Sequence, residues 1–222
     1  VPFISKVKNI PYAKYAAQIA CGLKIKKIDF KYKNTNLIAV KKPVFPFNKF
    51  PKQNIFLSPE MKSTGEVIGF GNHLGSAYAK AELGAGIKLP SKGKVFISVN
   101  DSDKNDIIKI ARDFNEMNFQ IIATLGTSTL FNHNGIKCQN IFKVGEGRPH
   151  IVDEIKNNKI NLIINTPLGA QSRYDEHIIG IAAVKYKIPV ITTIAAAQAV
   201  VRAIRTIKTG KFSYLSLQEI FK

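Results

Sequence analysis

The chain has 222 residues, 45% of them hydrophobic, with a formal net charge of +18, so it is globular, with enough length for a sizeable core. Only five of its 33 basic residues are arginines and the lysines are spread along the whole length, so no like-charge block marks a nucleic-acid-binding arm. Cys21 and Cys138 lie far apart without a CxxC or a Cys/His cluster, which points to neither a disulfide framework nor a zinc site and fits a reducing cytoplasm.

In chain order, residues 11–20 predict a helix with Pro11 in its first turn and Gly22 at its end. The segment 37–50 is extended and carries Pro43 and Pro46, which suits an edge strand or ordered loop. Residues 58–69 form a turn entering a short strand, and 74–83 a helix ending at Gly84 or Gly86. Leu89-Pro90-Ser91-Lys92-Gly93 is a linker, and behind it strands and helices alternate with short connections. Strands are predicted at 95–99, 121–124, 140–143, 162–165 and 190–192. The helices between them are predicted at 103–117, 128–132, 149–156 and 178–186, with a closing one at 195–207. The strands are apolar throughout instead of alternating, as expected where helices cover both faces. That pattern specifies an α/β fold, a Rossmann-like parallel five-stranded sheet with helices on both faces. No signal peptide is visible, and the apolar run 188–201 is too short and too broken by Thr192, Thr193 and Gln198 to span a bilayer. The chain starts at Val1 in structured sequence, so a longer parent polypeptide is expected.

Ligands of parallel sheets bind outside the carboxyl ends of the strands. There the stretch Thr124-Leu125-Gly126-Thr127-Ser128 runs from strand to helix, and a helix start offers unpaired N–H groups to an anion. Ser98, Lys143, Asn165 and Thr166 fall at the ends of other strands, and Lys104 at the start of the first helix. A single lysine is usually a solvated surface charge. Two lysines, several hydroxyls and an amide converging on one sheet edge suit a phosphorylated sugar or a nucleotide.

Four segments together carry a family likeness: Val1-Pro2-Phe3-Ile4-Ser5-Lys6, Pro46-Phe47-Asn48-Lys49-Phe50-Pro51, Pro59-Glu60-Met61-Lys62-Ser63-Thr64-Gly65-Glu66-Val67 and Glu146-Gly147-Arg148-Pro149-His150. In this order they resemble the C-terminal part of the carbamoyl-phosphate synthase large subunit. The resemblance implies an α+β tail of the second ATP-grasp unit over residues 1–88, a linker at 89–93, and a methylglyoxal-synthase-like regulatory domain over 94–222. It implies a cytoplasmic ligase as the parent, making carbamoyl phosphate for pyrimidine and arginine biosynthesis. Bicarbonate, glutamine and ATP would be its substrates and a glutaminase small subunit its partner. ATP and Mg2+ (or Mn2+) would bind outside this chain, which would hold no catalytic residue, cofactor or metal of its own.

For the regulatory domain the resemblance implies an effector site of Ser98, Lys104, Thr124, Thr127, Lys143, Asn165 and Thr166, taking a nucleoside monophosphate such as UMP or IMP. It also implies possible homo-oligomers through that domain, with neither nucleic acid nor membrane as partner. Two departures stand out. Thr166-Pro167-Leu168-Gly169 replaces a Thr-Thr-Ser-Gly stretch, and Pro167 supplies neither hydroxyl nor N–H. Val190-Ile191-Thr192-Thr193 replaces Tyr-Asp-Thr-Thr, so a weak or absent response to ornithine is expected.

Two alternatives stay open on residues alone. A free-standing methylglyoxal-synthase-type lyase would need a carboxylate base at the phosphate site, for which Asp101 and Asp103 are nearest. A basic nucleic-acid module would show salt-dependent binding to arbitrary duplex DNA. His150 is read as a capping or surface residue, not as a proton shuttle.

Overall fold

A computed structural model describes residues 1–30, 35–47, 61–166, 170–210 and 213–222, with backbone alone at 170–174. The chain opens with α1 (Pro2–Lys8), a helix not expected from the sequence. Its Pro2 sits at the first helical position, where the missing N–H forfeits no hydrogen bond. Pro11 precedes α2 (Tyr12–Ala20) as its cap instead of lying in the first turn. The extended stretch supplies β1 (Ile38–Val44), which pairs antiparallel with β2 (Gly65–Gly71), placing Pro43 opposite Glu66 on an edge. The segment read as a turn at 58–60, and the motif residues 48–51, lie outside the described residues.

Helix α3 (Leu74–Gly84) starts where the His73 Nδ1 accepts from the Ser76 N–H at 3.2 Å. It lies closely against β2, because side chains at Gly69 and Gly71 would run into the backbone of Ala77. Beneath it, the Lys42 ammonium meets the buried Glu82 carboxylate at 2.6 Å. Removing one partner of a buried pair costs about 3–5 kcal/mol, whereas an exposed pair such as Lys41–Glu66 contributes about 0–1 kcal/mol.

From residue 93 onward the chain alternates strictly. The elements are β3 (Gly93–Val99), α4 (Lys104–Glu116), β4 (Phe119–Thr124), α5 (Leu125–His133), β5 (Cys138–Ile141) and α6 (Ile151–Lys156). They continue with β6 (Leu162–Thr166), α7 (Ala170–Lys185), β7 (Val190–Ile191), α8 (Ile194–Lys208) and the short α9 (Leu217–Ile220). All five strands are parallel in the order β5-β4-β3-β6-β7. Alternate residues face opposite layers. Val95, Ile97, Ile121, Ala123, Leu162 and Ile164 pack with Phe114 of α4, Phe131 of α5 and Val200 of α8. Phe96, Ile122 and Ile163 pack with Ile155 of α6 and Ala183 of α7 on the other face. Phe96, Phe114 and Phe131 are fully buried, each worth about 1.5–3 kcal/mol of burial.

Several boundaries differ from expectation: β5 ends at Ile141 instead of residue 143, so Lys143 lies beyond the strand, α7 starts at Ala170, and two other helices start elsewhere. α5 begins at Leu125, not Ser128, so the strand runs straight into the helix with Thr124 as its cap. α6 begins at Ile151, and Pro149 lies outside it; His150 caps the helix, its N–H donating to Asp153 Oδ2 at 3.1 Å. Among the described residues no helix is long and apolar enough to cross a membrane.

α3 also crosses α8 at Gly75, whose added Cβ would stand 2.5 Å from Arg202 O and 2.7 Å from Thr206 Oγ1. The backbones approach so closely that only glycine fits. Gly75→Ala is therefore expected to destabilise the chain by about 1–3 kcal/mol in urea unfolding. Gly65→Ala, where nothing lies within 4 Å, serves as the control and is expected to stay within about 0.5 kcal/mol. Equal effects of the two substitutions would contradict this packing.

Candidate functional site

The strand order reverses between β3 and β6. Chain connections leave that point in opposite directions, opening a crevice beyond the carboxyl ends. A cavity of about 650 Å³ occupies it. Ser98, Lys104, Thr124, Thr127, Lys143, Asn165 and Thr166 all line this cavity, so the structure brings every sequence-predicted site residue together.

The register explains three of them. Ile97 pairs with Ala123 on one side and Ile164 on the other, and Ser98 pairs with Asn165. One step on, Thr124, Ser98 and Asn165 form a single rung across β4, β3 and β6. Ser98 Oγ and Thr124 Oγ1 are 3.5 Å apart. Thr124 caps α5 with an extended backbone, but its hydroxyl makes no hydrogen bond to the first turn. The hydroxyl and the first-turn N–H groups thus remain available to an anion. Lys104 stands over the same turn, its ammonium 3.8 Å from where a Cβ on Gly126 would lie. Ser128 behaves otherwise. Its hydroxyl turns back to donate to Leu125 O at 3.0 Å and is not among the cavity-lining groups.

Lys143 arrives on the turn made by the Glu146-Gly147-Arg148-Pro149-His150 motif. The Lys143 N–H donates to Glu146 Oε2 at 3.3 Å, its ammonium lies 3.9 Å from Glu146 Oε1, and Gly147 packs on the Phe142 ring. This motif shapes a turn and presents a lysine; His150 works as a helix cap.

Asn100 was not predicted, yet it holds the β3–α4 connection. Its amide donates to Thr166 O at 3.1 Å and to Asp103 Oδ2 at 2.8 Å, while its Oδ1 accepts from the Asp103 N–H at 3.1 Å. An Asn just beyond a strand and before Asp-Ser-Asp is a turn-cap signal. Asp101, Glu146 and Asp175 also line the cavity as carboxylates. Asp101 pairs with the Lys104 ammonium at 2.5 Å, and that lysine holds its carboxyl below the usual carboxylate range. Such an acid is a poor general base, and Asp103 is already engaged by Asn100, which counts against lyase chemistry. Among the described residues no group of three His, Cys, Asp or Glu side chains is placed to hold a metal.

A five-stranded α/β unit with a hydroxyl- and lysine-lined crevice at the sheet's carboxyl edge is the class that fold and site define. Residues 106–192 match the family model of the MGS-like domain. Over 99% of its length the chain is 45% identical to the carbamoyl phosphate synthase large chain of Nostoc sp. and 49% identical to that of Archaeoglobus fulgidus. It covers 20% of each. The whole chain is also 41% identical to the carbamoyl phosphate synthase large chain, C-terminal section, of Aquifex aeolicus, of which it covers 45%. The resemblance drawn from the four sequence motifs therefore holds across the whole chain. The chain spans about a fifth of the length of the first two relatives.

Asp101 competes with any bound anion for Lys104. Its depressed pKa keeps Asp101 charged at every pH above the ordinary carboxylate range, so between pH 6 and 8 its own charge does not change. Asp101→Asn is expected to tighten inorganic phosphate binding by about two- to fivefold in calorimetry. A weakening would show that Asp101 supports the anion instead.

Proposed function

We propose that the cavity is the effector seat of a regulatory region and takes a nucleoside monophosphate such as UMP or IMP. The observation that carries this reading is the convergence of seven polar residues from β3, α4, β4, α5, β6 and the β5–α6 turn on one cavity. Thr124, Thr127 and the first-turn amides of α5 hold the phosphate, and Lys104 and Lys143 neutralise it. Asn165, with donor and acceptor in one side chain, orients the ribose or base. Pro167, where the sequence departs from the family pattern, lies outside the described residues.

The whole protein would be an ATP-dependent ligase of the cytoplasm that forms carbamoyl phosphate from bicarbonate and glutamine for pyrimidine and arginine biosynthesis. A glutaminase small subunit would be its partner, with ATP and Mg2+ bound outside this region. Residues 1–88 would be the tail of the synthetase unit, 89–93 the linker and 94–222 the regulatory domain, through which copies could associate. The similarity to carbamoyl phosphate synthase large chains supports this reading. Regulation acts by population shift: effector binding favours one arrangement of the sheet unit, and α8 passes it to α3 and the β1–β2 hairpin.

Calorimetry with UMP and IMP on the wild type and Lys143→Ala tests this. At least one nucleotide is expected to bind below millimolar concentration, with a loss of about tenfold or more in the variant. If neither binds at millimolar concentration, the regulatory role is wrong.

A further inference from the structure

Residues 85–92 carry the chain from α3 to β3, at the amino edge of the sheet and away from the cavity described above. Leu89 is the buried anchor of this segment, in the core shared with the sheet, whereas Lys88, Ser91 and Lys92 are exposed. A glycine in left-handed backbone stands at each end, Gly86 at φ 79° and Gly93 at φ 120°, a conformation that other residues rarely adopt. Polar attachment of the segment comes from one distant side chain. Lys208, in the last turn of α8, donates from its ammonium to Ser91 O at 3.1 Å and to Met117 O at 3.0 Å. Among the described residues the bond to Ser91 O is the one hydrogen bond at residues 88–91.

The setting suits a cation. Met117 O lies at the end of α4, where carbonyls lack helical partners and carry partial negative charge. The ammonium also stands 5.9 Å from the centre of the Phe119 ring, which is buried and held edge-on by Phe114 at 5.4 Å. The ion pairs between α8 and α4 are made by Arg205, with Asp113 and Glu116, so Lys208 is not needed to join those two helices. Its own contribution is the third element, the segment at Ser91. Because Lys208 and Ser91 are exposed, their contact can open while the core around Leu89 stays closed.

We propose that Lys208 is a latch that fastens the segment between α3 and β3 to the ends of α4 and α8. Latched, the segment is fixed at Ser91 and Leu89 together. Released, it keeps only Leu89 and pivots on Gly86 and Gly93, which loosens the covalent link between the N-terminal part and the sheet unit without unfolding either. The device is independent of what fills the cavity at the carboxyl edge.

Limited digestion of the 222-residue chain with trypsin under native conditions, read by fragment mass, tests this for wild type, Lys208→Met and Lys208→Arg. Methionine keeps an unbranched stem over Phe119 and removes the donors; arginine keeps charge and donors. Cleavage after Lys88 and Lys92 is expected to be about fivefold or more faster in Lys208→Met and within about twofold of wild type in Lys208→Arg, while cleavage after Lys109 and Arg112 inside α4 stays unchanged. Equal acceleration at all four positions would show a general loss of stability, hence a merely structural role, and overturn the proposal. Unchanged cleavage after Lys88 and Lys92 in Lys208→Met would overturn it too, as would Lys208→Arg being cleaved there as fast as Lys208→Met.

Discussion

The first turn of α5 cannot pair its own amides, and β4 delivers those amides to the carboxyl edge of a sheet that is buried on both faces. The rest of the site follows from that constraint. The rung Thr124–Ser98–Asn165 adds hydroxyls and an amide at one level because parallel strands in register carry equivalent residues side by side. The reversal of strand order between β3 and β6 keeps helices from closing over the spot, and the lysines come in on the two connections that frame it. The proposed anion site rests on topology first and on side chains second.

The same sheet is tied to the N-terminal part through small residues. Gly69 and Gly71 admit α3 onto β2, and Gly75 admits it onto α8, while Ala79 of α3 shares the core beneath the sheet. Contacts this close leave no room for sliding, since interiors are packed like molecular crystals. Helix α3 therefore serves as a rigid connector, and a change in α8 must be taken up by the hairpin or by a shift of the whole layer.

Much of this was legible in the chain. Apolar runs bounded by Gly, Asn and Asp located all five parallel strands, and their lack of alternation announced helices on both faces. The site residues were legible because they lie at strand ends, a position that local patterning finds. What escaped depends on distant partners. Asn100 matters through Thr166, sixty-six positions away, and Gly75 through Arg202, so neither stands out locally. Hydroxyl-rich Thr127-Ser128 looks like a turn, yet it is helical: the extended backbone of Thr124 already ends the strand, and the Ser128 hydroxyl turns back onto Leu125 O. Pro149 looks like a helix opener, but the extended backbone of His150 delays the start to Ile151.

Amide hydrogen exchange over residues 125–128, with and without saturating uridylate, tests most directly whether the start of α5 is the anion seat. Slowing of these amides by about tenfold or more, stronger than elsewhere in the chain, is the predicted result. Binding that leaves them unchanged and instead protects the opposite sheet edge, where Lys94 and Lys159 line a smaller cavity of about 310 Å³, would contradict it.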